Sequence, residues 1–472
     1  MVSDNPLEEL ARFAMETAWE DLPPQVVHET KNILMDSIGC TLGAQTVDKG
    51  KEYLALGRRL GGLAEASVIG AGQRVSLSTA ALVNGELMFT LDFHNIMANS
   101  HDGAYVIPTL LAAAESSRAS GKELIAATAL GCEISSRLAR AVLRHPIGAA
   151  SQAPKPAGRL RTGNAHSNFG AAAGGARLLR FNLEKTINAL GIAGHLCMVL
   201  TYGRWGVHGH DYMMKYGAPG WQSTGAVNAL LLAEMGYTGD RTVLDAENGF
   251  GYFCGYSYWY PELILPDLGK KWWFNYRLHY KPYPCCGVFH CALDCFYEIL
   301  ETTSLKPEEI DSVNIYLRGK MSPHPYSAAQ LENISAAQFS PHYVFSVAAH
   351  QVPRGPEWHD KATVRDPRIL KFMPKVAVQE HPDYEKSLAR DPLSALSKCQ
   401  VSAGGQEYTV EREHRRGTVG TDLAFSDEEI AAKFRHNAER VLTQEKIGRA
   451  EDLLKHLEDV PDISGLFREL CS

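Results

Sequence analysis

The chain has 472 residues, of which 45% are hydrophobic and 21% are charged, and its formal net charge is -7 at pH 7. This composition is typical of a globular protein, and the length favours two domains over one. The acidic balance argues against a nucleic-acid partner, because binding phosphates requires a basic face. No apolar run reaches the roughly 18 residues of a membrane span, so we expect no membrane partner.

The N-terminal segment and the cysteine content indicate a cytoplasmic protein. Residues 1–24 are acidic and amphipathic, and they lack the basic and apolar regions of a signal peptide. Ten cysteines are too few for a disulfide scaffold in a chain of this length. We therefore expect a reducing compartment in which most thiols stay free and buried.

From residue 5 to about residue 270 the chain is predicted to be mainly helical. Apolar residues recur at helical spacing in "PPQVVHETKNILMDSIGCTLGA", and the pattern continues in "STAALVNGELMFTLDF" and in the long segment that begins "VIPTLLAAAESS". The stretch "FGAAAGGARLL" predicts a helix of small residues that is suited to close packing. The stretch "STGAVNALLLAEMGYTG" predicts an apolar helix that ends at glycine.

The pattern changes after residue 270, where "IDSVNIYLRG" predicts a strand, as do "PKVAVQEHPDYEK", "SKCQVSAGG" and "QEYTVERE". Helix returns near the C-terminus, where Ser426 and Glu429 have the spacing of a capping box. We therefore expect a mainly α protein with an α+β lid. A large helical domain should comprise residues 1–272 and 415–472, and a smaller α/β lid domain should comprise residues 273–414.

A polar loop between two predicted helices carries candidate acid–base residues. Asp92, His94 and His101 lie in "LDFHNIMANSHDGAYV", and ionisable groups gathered between helices indicate acid–base chemistry. Gly103 would let a ligand approach the backbone closely. On these residues alone, an ordinary surface-loop histidine is an equally good interpretation.

The stretch "HYKPYPCCGVFHCALDC", residues 279–295, holds four cysteines and two histidines. Cys291 and Cys295 are one helical turn apart, but no second ligand pair stands out, so buried packing thiols are favoured over a metal site. Lys281 is the candidate polar residue instead. The adjacent prolines fix its backbone, and an ammonium held there beside aromatic residues is suited to bind a carboxylate. The alternative is a solvated surface lysine.

Lys215 precedes a glycine-rich turn that opens a helix, in "KYGAPGWQSTG". Such a turn offers backbone N–H groups and a positive helix end to an anion. The signal is weak alone, because glycine turns before helices are common.

These segments, in this order and spacing, resemble the MmgE/PrpD family, which includes 2-methylcitrate dehydratase, cis-aconitate decarboxylase and iminodisuccinate epimerase. The resemblance runs from about residue 5 to the C-terminus. Its further markers are "AAQFSPHYVFSVAA", "VRDPRILKFMPKVAV" and "EEIAAKFRHNAERVL". It implies a helical domain with a smaller α/β lid, a site between them that uses no metal or other cofactor, a small carboxylic acid as substrate, and a homodimer.

The resemblance also assigns roles to particular residues. It implies catalytic roles for Asp92, His101 and Tyr343, and substrate-binding roles for Lys215, Lys281 and Cys286. Relatives often carry a second catalytic histidine in a "GWH" or "GFH" segment, and Arg161 takes that position in this chain. His166 lies nearby. We predict that His166 is the second acid–base group, because imidazole titrates near neutral pH and guanidinium does not, and that Arg161 has a substrate-binding role.

The chemistry that the resemblance implies is proton transfer next to a carboxylate. Lysines neutralise substrate carboxylates, and a histidine takes or gives the proton. We expect a cofactor-independent lyase, namely a dehydratase of the 2-methylcitrate type. A cis-aconitate-type decarboxylase or an iminodisuccinate-type epimerase is the alternative on the same scaffold. A catalytically silent binding or scaffold protein is the further alternative, which the missing "GWH" histidine favours.

Overall fold

The computed structural model describes residues 5–97, 100–142, 164–198, 213–214, 218–245, 247, 249–254, 259–276, 278–318 and 331–471. Its first half is helical, as the hydrophobic periodicity predicted. The helices there are α1 (Pro6–Glu16), α2 (Pro24–Ala44), α3 (Asp48–Leu60), α4 (Leu77–Thr90), α5 (Asp102–Ser116), α6 (Gly121–Ala141), α7 (Ser167–Leu178), α8 (Leu183–His195), α9 (Pro219–Glu234) and α10 (Phe250–Phe253).

The second half mixes helices and strands before it ends in helices. The helices are α11 (His290–Thr303), α12 (Ile334–Gln338), α13 (Pro341–Ala349), α14 (Lys361–Val364), α15 (Pro367–Phe372), α16 (Tyr384–Arg390), α17 (Asp427–Ala438), α18 (Gln444–Lys455) and α19 (Ser464–Leu470). Short 3₁₀ turns are Trp19–Asp21, Pro261–Leu263, Pro356–His359, Met373–Lys375 and Leu457–Asp459. None of the described helices is long and apolar enough to cross a membrane.

Side-chain caps explain several helix boundaries. Ser426 and Glu429 form the predicted capping box at the start of α17. A second capping box, Ser120 with Glu123, starts α6 and separates it from α5, which a single apolar pattern had merged. Gly236 follows α9 with a φ of 91°, so the predicted glycine stop is confirmed.

Small residues let α6 and α7 pack closely. A Cβ built on Gly170 would lie 2.2 Å from the carbonyl oxygen of Gly131, and one on Gly131 would lie 2.8 Å from the carbonyl oxygen of Gly170. Neither position accepts a larger residue without moving the helices apart. The prediction of close packing for this small-residue helix is therefore confirmed.

Four strands form one mixed sheet in the order β4–β3–β5–β6. The strands are β3 (Ile310–Leu317), β4 (Val376–Glu380), β5 (Ser397–Ala403) and β6 (Gln406–Arg412). β3 and β4 are parallel with Val313 opposite Val376, whereas β5 pairs antiparallel with β3 and with β6. Gly404 and Gly405, with φ of 56° and 80°, make the two-residue hairpin turn between β5 and β6. All four predicted strands are confirmed.

A small hairpin in the helical half was not predicted. β1 (Ala66–Val68) pairs antiparallel with β2 (Gln73–Val75). Each strand has only three residues, which is too few for its alternating pattern to be distinguished from a loop in the sequence.

Two large hydrophobic clusters build the core. One joins helices of the first half to α17, α18 and α19 at the C-terminus, and the other lies entirely within residues 283–401. The mainly α fold with a smaller α+β part is therefore confirmed. The domain boundaries at residues 273 and 414 stay a prediction, which this division of the core supports.

The chain passes between these two parts in segments that pair with one another. Ile96 and His279 exchange two backbone hydrogen bonds of 2.9 Å. The Tyr280 N–H donates to the Gly417 carbonyl at 2.8 Å, and the Val419 N–H donates to Leu278. We call residues 96, 278–280 and 417–419 the crossover ribbon. Its backbone hydrogen bonds join the loop after α4 to the two segments in which the chain passes between the parts, residues 278–280 (the first passage) and 417–419 (the second passage).

Two buried histidines at the crossover ribbon should make the protein sensitive to acid. His279 Nε2 lies 3.4 Å from His290 Nδ1, and His290 Nε2 lies 3.2 Å from the Cys285 carbonyl. Burial, reinforced by nearby cations, holds the pKa of both rings well below the usual value. Both rings are therefore neutral in the folded protein at neutral pH.

We expect the free energy of unfolding to fall as pH drops below about 6.5. At such pH the two histidines bind protons in the unfolded chain but stay neutral in the folded protein. Two such rings give a slope of up to about 2.7 kcal/mol per pH unit. Urea unfolding between pH 5.5 and 8 measures this slope, and His290→Gln should roughly halve it. An equal slope in the variant and the wild type would show that other groups cause the acid sensitivity.

Candidate functional site

The loop between α4 and α5 holds Asp92 in an uncommon backbone conformation. Its φ is 51°, in the left-handed region that few residues other than glycine adopt. The side chain is only 1% exposed. A strained, buried carboxylate in a loop is a feature that occurs often at functional sites.

Lys281 forms a buried ion pair with Asp92. Its Nζ lies 2.5 Å from Asp92 Oδ1 and also donates to the backbone carbonyls of Asp92, at 2.9 Å, and Cys285, at 3.2 Å. Lys281 is 0% exposed, so the interpretation as a solvated surface lysine is wrong. Its three donors are all used, and binding a substrate carboxylate therefore requires one of these contacts, such as that to Cys285, to be exchanged.

A second buried ion pair supports the backbone of the same loop. Lys433 of α17 donates to the carbonyls of Phe93, at 2.6 Å, and Lys281, at 3.0 Å, and its Nζ lies 2.7 Å from Asp36 Oδ1. The backbone N–H of Asn95 donates to the other oxygen of Asp36 at 2.9 Å. Helices α2 and α17 therefore fix the loop that presents Asp92, a role that the sequence patterns did not reveal.

His94 and His101 form a direct imidazole pair. His94 Nε2 lies 2.8 Å from His101 Nδ1, so one ring donates and the other accepts. His94 is fully buried, whereas His101 is partly exposed. This contact fixes the orientation of the His101 ring at the start of α5.

His166 meets a carboxylate that follows His101 in the chain. His166 Nε2 lies 3.1 Å from Asp102 Oδ1, which also accepts from the hydroxyls of Ser100, at 2.5 Å, and Ser167, at 3.0 Å. Burial alone would raise the pKa of Asp102, but the charge and hydrogen bond of His166, with the two hydroxyls, lower it. Asp102 therefore stays ionised, and its carboxylate fixes the orientation of the His166 ring.

Asp102 was missed as a functional residue at the level of sequence. The sequence feature that could have identified Asp102 is its position next to His101, in the first turn of α5. The structure thus brings both predicted histidines to the start of α5, since His166 contacts the residue next to His101.

The cysteine-rich stretch contains free thiols. All ten cysteines of the chain are free, and Cys285, Cys291 and Cys295 are buried, as predicted for packing residues. The Sγ of Cys291 and of Cys295 donate to backbone carbonyls of Arg412 and Ser397. Cys286 is also buried. Its pKa is raised by burial and then by the charge of Asp92, so its thiol stays protonated beside the ion pair.

Tyr343 lies within the lid core on α13. Its hydroxyl donates to the backbone carbonyl of Trp358, and its ring is fully buried. Burial raises its pKa, which makes the phenol a poorer acid. The described hydrogen bonds of Tyr343 do not bring it to Asp92 or His101, so its catalytic role stays a prediction that these contacts do not support.

Lys215 and Arg161 lie outside the described residues. The helix start after Lys215 is described, and the Gly220 N–H there donates to Glu86 Oε1 at 3.2 Å. A carboxylate of the protein therefore already occupies part of the predicted anion position at the start of α9.

Asp92, His94 and His101 also have the composition of a metal site. Each offers one ligand atom, and these atoms lie within 4.8 Å of one another. The ammonium of Lys281 already pairs with Asp92, and it would repel a divalent cation bound beside it. We therefore retain the prediction that the site works without a metal.

Removal of divalent metal ions should leave turnover unchanged. The check is to dialyse the protein against EDTA, measure its metal content, and compare its kinetics with those of untreated protein. Stoichiometric zinc or iron, with activity that is lost on removal and restored on addition, would contradict this prediction.

Comparison with known proteins identifies the family of the chain. The chain is 23% identical to a cis-aconitate decarboxylase of Aspergillus terreus over 496 residues, covering 98% of this chain and 95% of the relative. It is 24% identical to the cis-aconitate decarboxylase of Homo sapiens over 470 residues, covering 94% and 90%. Residues 8–257 match the MmgE/PrpD N-terminal domain, and residues 283–459 match the MmgE/PrpD C-terminal domain. The resemblance read from the sequence is thereby confirmed, and the chain belongs to the MmgE/PrpD family.

Proposed function

We propose that this protein is a cofactor-independent lyase that moves a proton next to a carboxylate of a small carboxylic acid. The observation that carries the proposal is that a cation from a distant segment reaches the loop that holds the acid–base groups. Lys281 pairs with Asp92 of this loop, and His94 pairs with His101. The site therefore combines a cation that can exchange a contact for a substrate carboxylate with an imidazole that can transfer a proton.

The two histidine systems are suited to different steps. His101 is held in a fixed orientation by the imidazole of His94, and we assign to it the acceptance of the proton. His166 is held by the carboxylate of Asp102, and we assign to it the donation of a proton. One base and one acid supported by separate partners form the set that a lyase needs.

Decarboxylation of an unsaturated tricarboxylic acid such as cis-aconitate is the first candidate reaction. The similarity to cis-aconitate decarboxylases over nearly the whole chain supports it. Loss of CO₂ breaks a carbon–carbon bond and leaves an electron pair on carbon. A histidine proton then quenches that pair, and the cations hold the carboxylates that remain.

Dehydration of a 2-methylcitrate-type hydroxy acid, the reaction expected from the sequence, is the second candidate. It requires a base for the C–H proton and an acid for the departing hydroxyl. The separate supports of His101 and His166 favour it.

Proton NMR with a panel of acids tests the proposal. The purified protein is incubated with cis-aconitate, 2-methylcitrate and iminodisuccinate, and the products are identified over time. Loss of CO₂ supports decarboxylation, loss of water supports dehydration, and exchange without net turnover supports epimerisation. If no acid is converted and none exchanges a proton, the result would favour the binding or scaffold alternative.

A homodimer remains part of the proposal. Trp221 near the start of α9, and Met235 and Tyr237 just beyond its other end, are exposed apolar side chains that contact with a second subunit would bury. Sedimentation equilibrium at micromolar concentration distinguishes a dimer from a monomer.

A further inference from the structure

The two passages of the chain through the crossover ribbon each carry a cation. Lys281 follows the first passage, and Arg415 precedes the second. Arg415 Nη1 donates to the carbonyl of Gly287 at 3.3 Å. A Cβ built on Gly287 would lie 3.5 Å from that Nη1 and 3.8 Å from Cε of Lys281. Both cationic side chains therefore border the same glycine.

The glycine also borders the loop of the candidate site. The same Cβ position lies 3.5 Å from Cδ1 of Ile96, two residues after His94. Gly287 is only partly buried, so solvent contacts part of its backbone. The absence of a side chain leaves room between Arg415, Lys281 and the loop that any larger residue would reduce.

Arg415 differs from the other cations of the site in its partners. The two lysines described above each form an ion pair with a carboxylate. Arg415 forms none within the described part of the chain, where its hydrogen bond is to the Gly287 carbonyl. The carboxylate of Asp294 acts on it electrostatically, but Asp294 accepts hydrogen bonds from Tyr283 and from the backbone N–H of Arg416, each at 2.9 Å.

The surroundings of Arg415 favour an incoming anion. Burial lowers its pKa, and its charge in turn lowers the pKa of both His279 and His290. A guanidinium that has lost part of its water without gaining an anionic partner is costly. Its planar fork of N–H donors matches a carboxylate, which it can bind through two hydrogen bonds.

We propose that Arg415 binds a carboxylate of the substrate, beside Lys281 and above Gly287. This inference rests on the proposed function and deepens it by naming a further residue that binds the substrate. Because Lys281 and Arg415 lie next to different segments of the crossover ribbon, substrate binding depends on contact with both segments.

Calorimetric binding of tricarballylate, a tricarboxylic acid with no double bond or hydroxyl to react, tests the inference. Arg415→Gln should weaken this binding by about 10- to 100-fold, the usual cost of a lost hydrogen bond to a charged group. Arg415→Lys, which keeps the charge but not the planar fork of N–H donors, should recover part of the loss.

The matched control is Arg416→Gln, because Arg416 is exposed and pairs with Glu429. This variant should bind tricarballylate like wild type. Thermal melts verify that each variant is folded.

The dependence on individual carboxylates makes the test sharper. Glutarate lacks the central carboxylate of tricarballylate, and succinate lacks one terminal carboxymethyl group. If Arg415 binds the central carboxylate, the loss caused by Arg415→Gln should persist for succinate and disappear for glutarate, whereas it should persist for both if Arg415 binds a terminal carboxylate. No loss for any of the three acids, or no binding by wild type, would overturn the inference.

Failure of this inference can be distinguished from failure of the proposed function. If wild type binds tricarballylate through Arg415 but transforms no acid of the panel, the lyase proposal fails and the carboxylate contact stands. If wild type turns over an acid and Arg415→Gln leaves its KM unchanged, the lyase proposal stands and the role of Arg415 is wrong.

Discussion

His166→Ala should lower kcat by about two to four orders of magnitude, the usual cost of removing a general acid or base. The physical reason is the contact of His166 Nε2 with Asp102 Oδ1 at 3.1 Å, which fixes an imidazole at the start of α5, and imidazole is the side chain best suited to transfer a proton near neutral pH. Steady-state kinetics on the acid that wild type transforms measures the effect.

His195→Ala is the matched control, because His195 lies exposed at the end of α8 and its nearby carboxylate, Asp240, is also on the surface. Its kcat should equal that of wild type. Asp102→Asn should lower kcat although His166 is still present, since a neutral amide is a weaker acceptor than the carboxylate that orients the His166 ring. A wild-type kcat in His166→Ala would place the second acid–base group elsewhere and make Arg161 the next residue to test.

Lys281→Ala should lower the free energy of unfolding by about 3–5 kcal/mol, because it leaves the buried carboxylate of Asp92 without its cation. The same variant should lose substrate binding. A surface lysine would have little effect on stability, and the full burial of Lys281 reverses that expectation. Urea unfolding and calorimetric binding of tricarballylate measure the two effects.

The double variant Asp92→Asn with Lys281→Met separates stability from function. It removes both buried charges, and asparagine tolerates the positive φ of residue 92. The double variant should therefore be more stable than Lys281→Ala and still be inactive. If Lys281→Ala instead unfolds like wild type, the ion pair contributes little and the structural role of Lys281 is wrong.

The elements that could be predicted from the sequence are those with a strong local signal. Helix α2 and strand β3 follow from periodicity within their own residues, and the capping box at Ser426 follows from two residues three positions apart. The loop with Asp92 and His101 was predicted because two apolar helices flank a short polar segment.

The partners of these residues could not be predicted in the same way, because they are distant in the sequence. Asp92 and Lys281 are 189 positions apart, and the sequence around Lys281 does not show whether water or a carboxylate surrounds it. Asp36 and Lys433 likewise look like polar positions of amphipathic helices. Arg415 follows the end of a strand, where exposed cations are ordinary, and only its position over Gly287 distinguishes it.

Deuterium incorporation in D₂O tests the central claim, proton transfer next to a carboxylate, most directly. Wild type should place one deuterium on the carbon beside a carboxylate of the acid that it transforms, either in the decarboxylated product or in the remaining hydroxy acid, whereas His166→Ala should do so at least about a hundredfold more slowly. His195→Ala should match wild type. Decarboxylation that places no deuterium on that carbon, or equal rates of incorporation in all three proteins, would contradict the account.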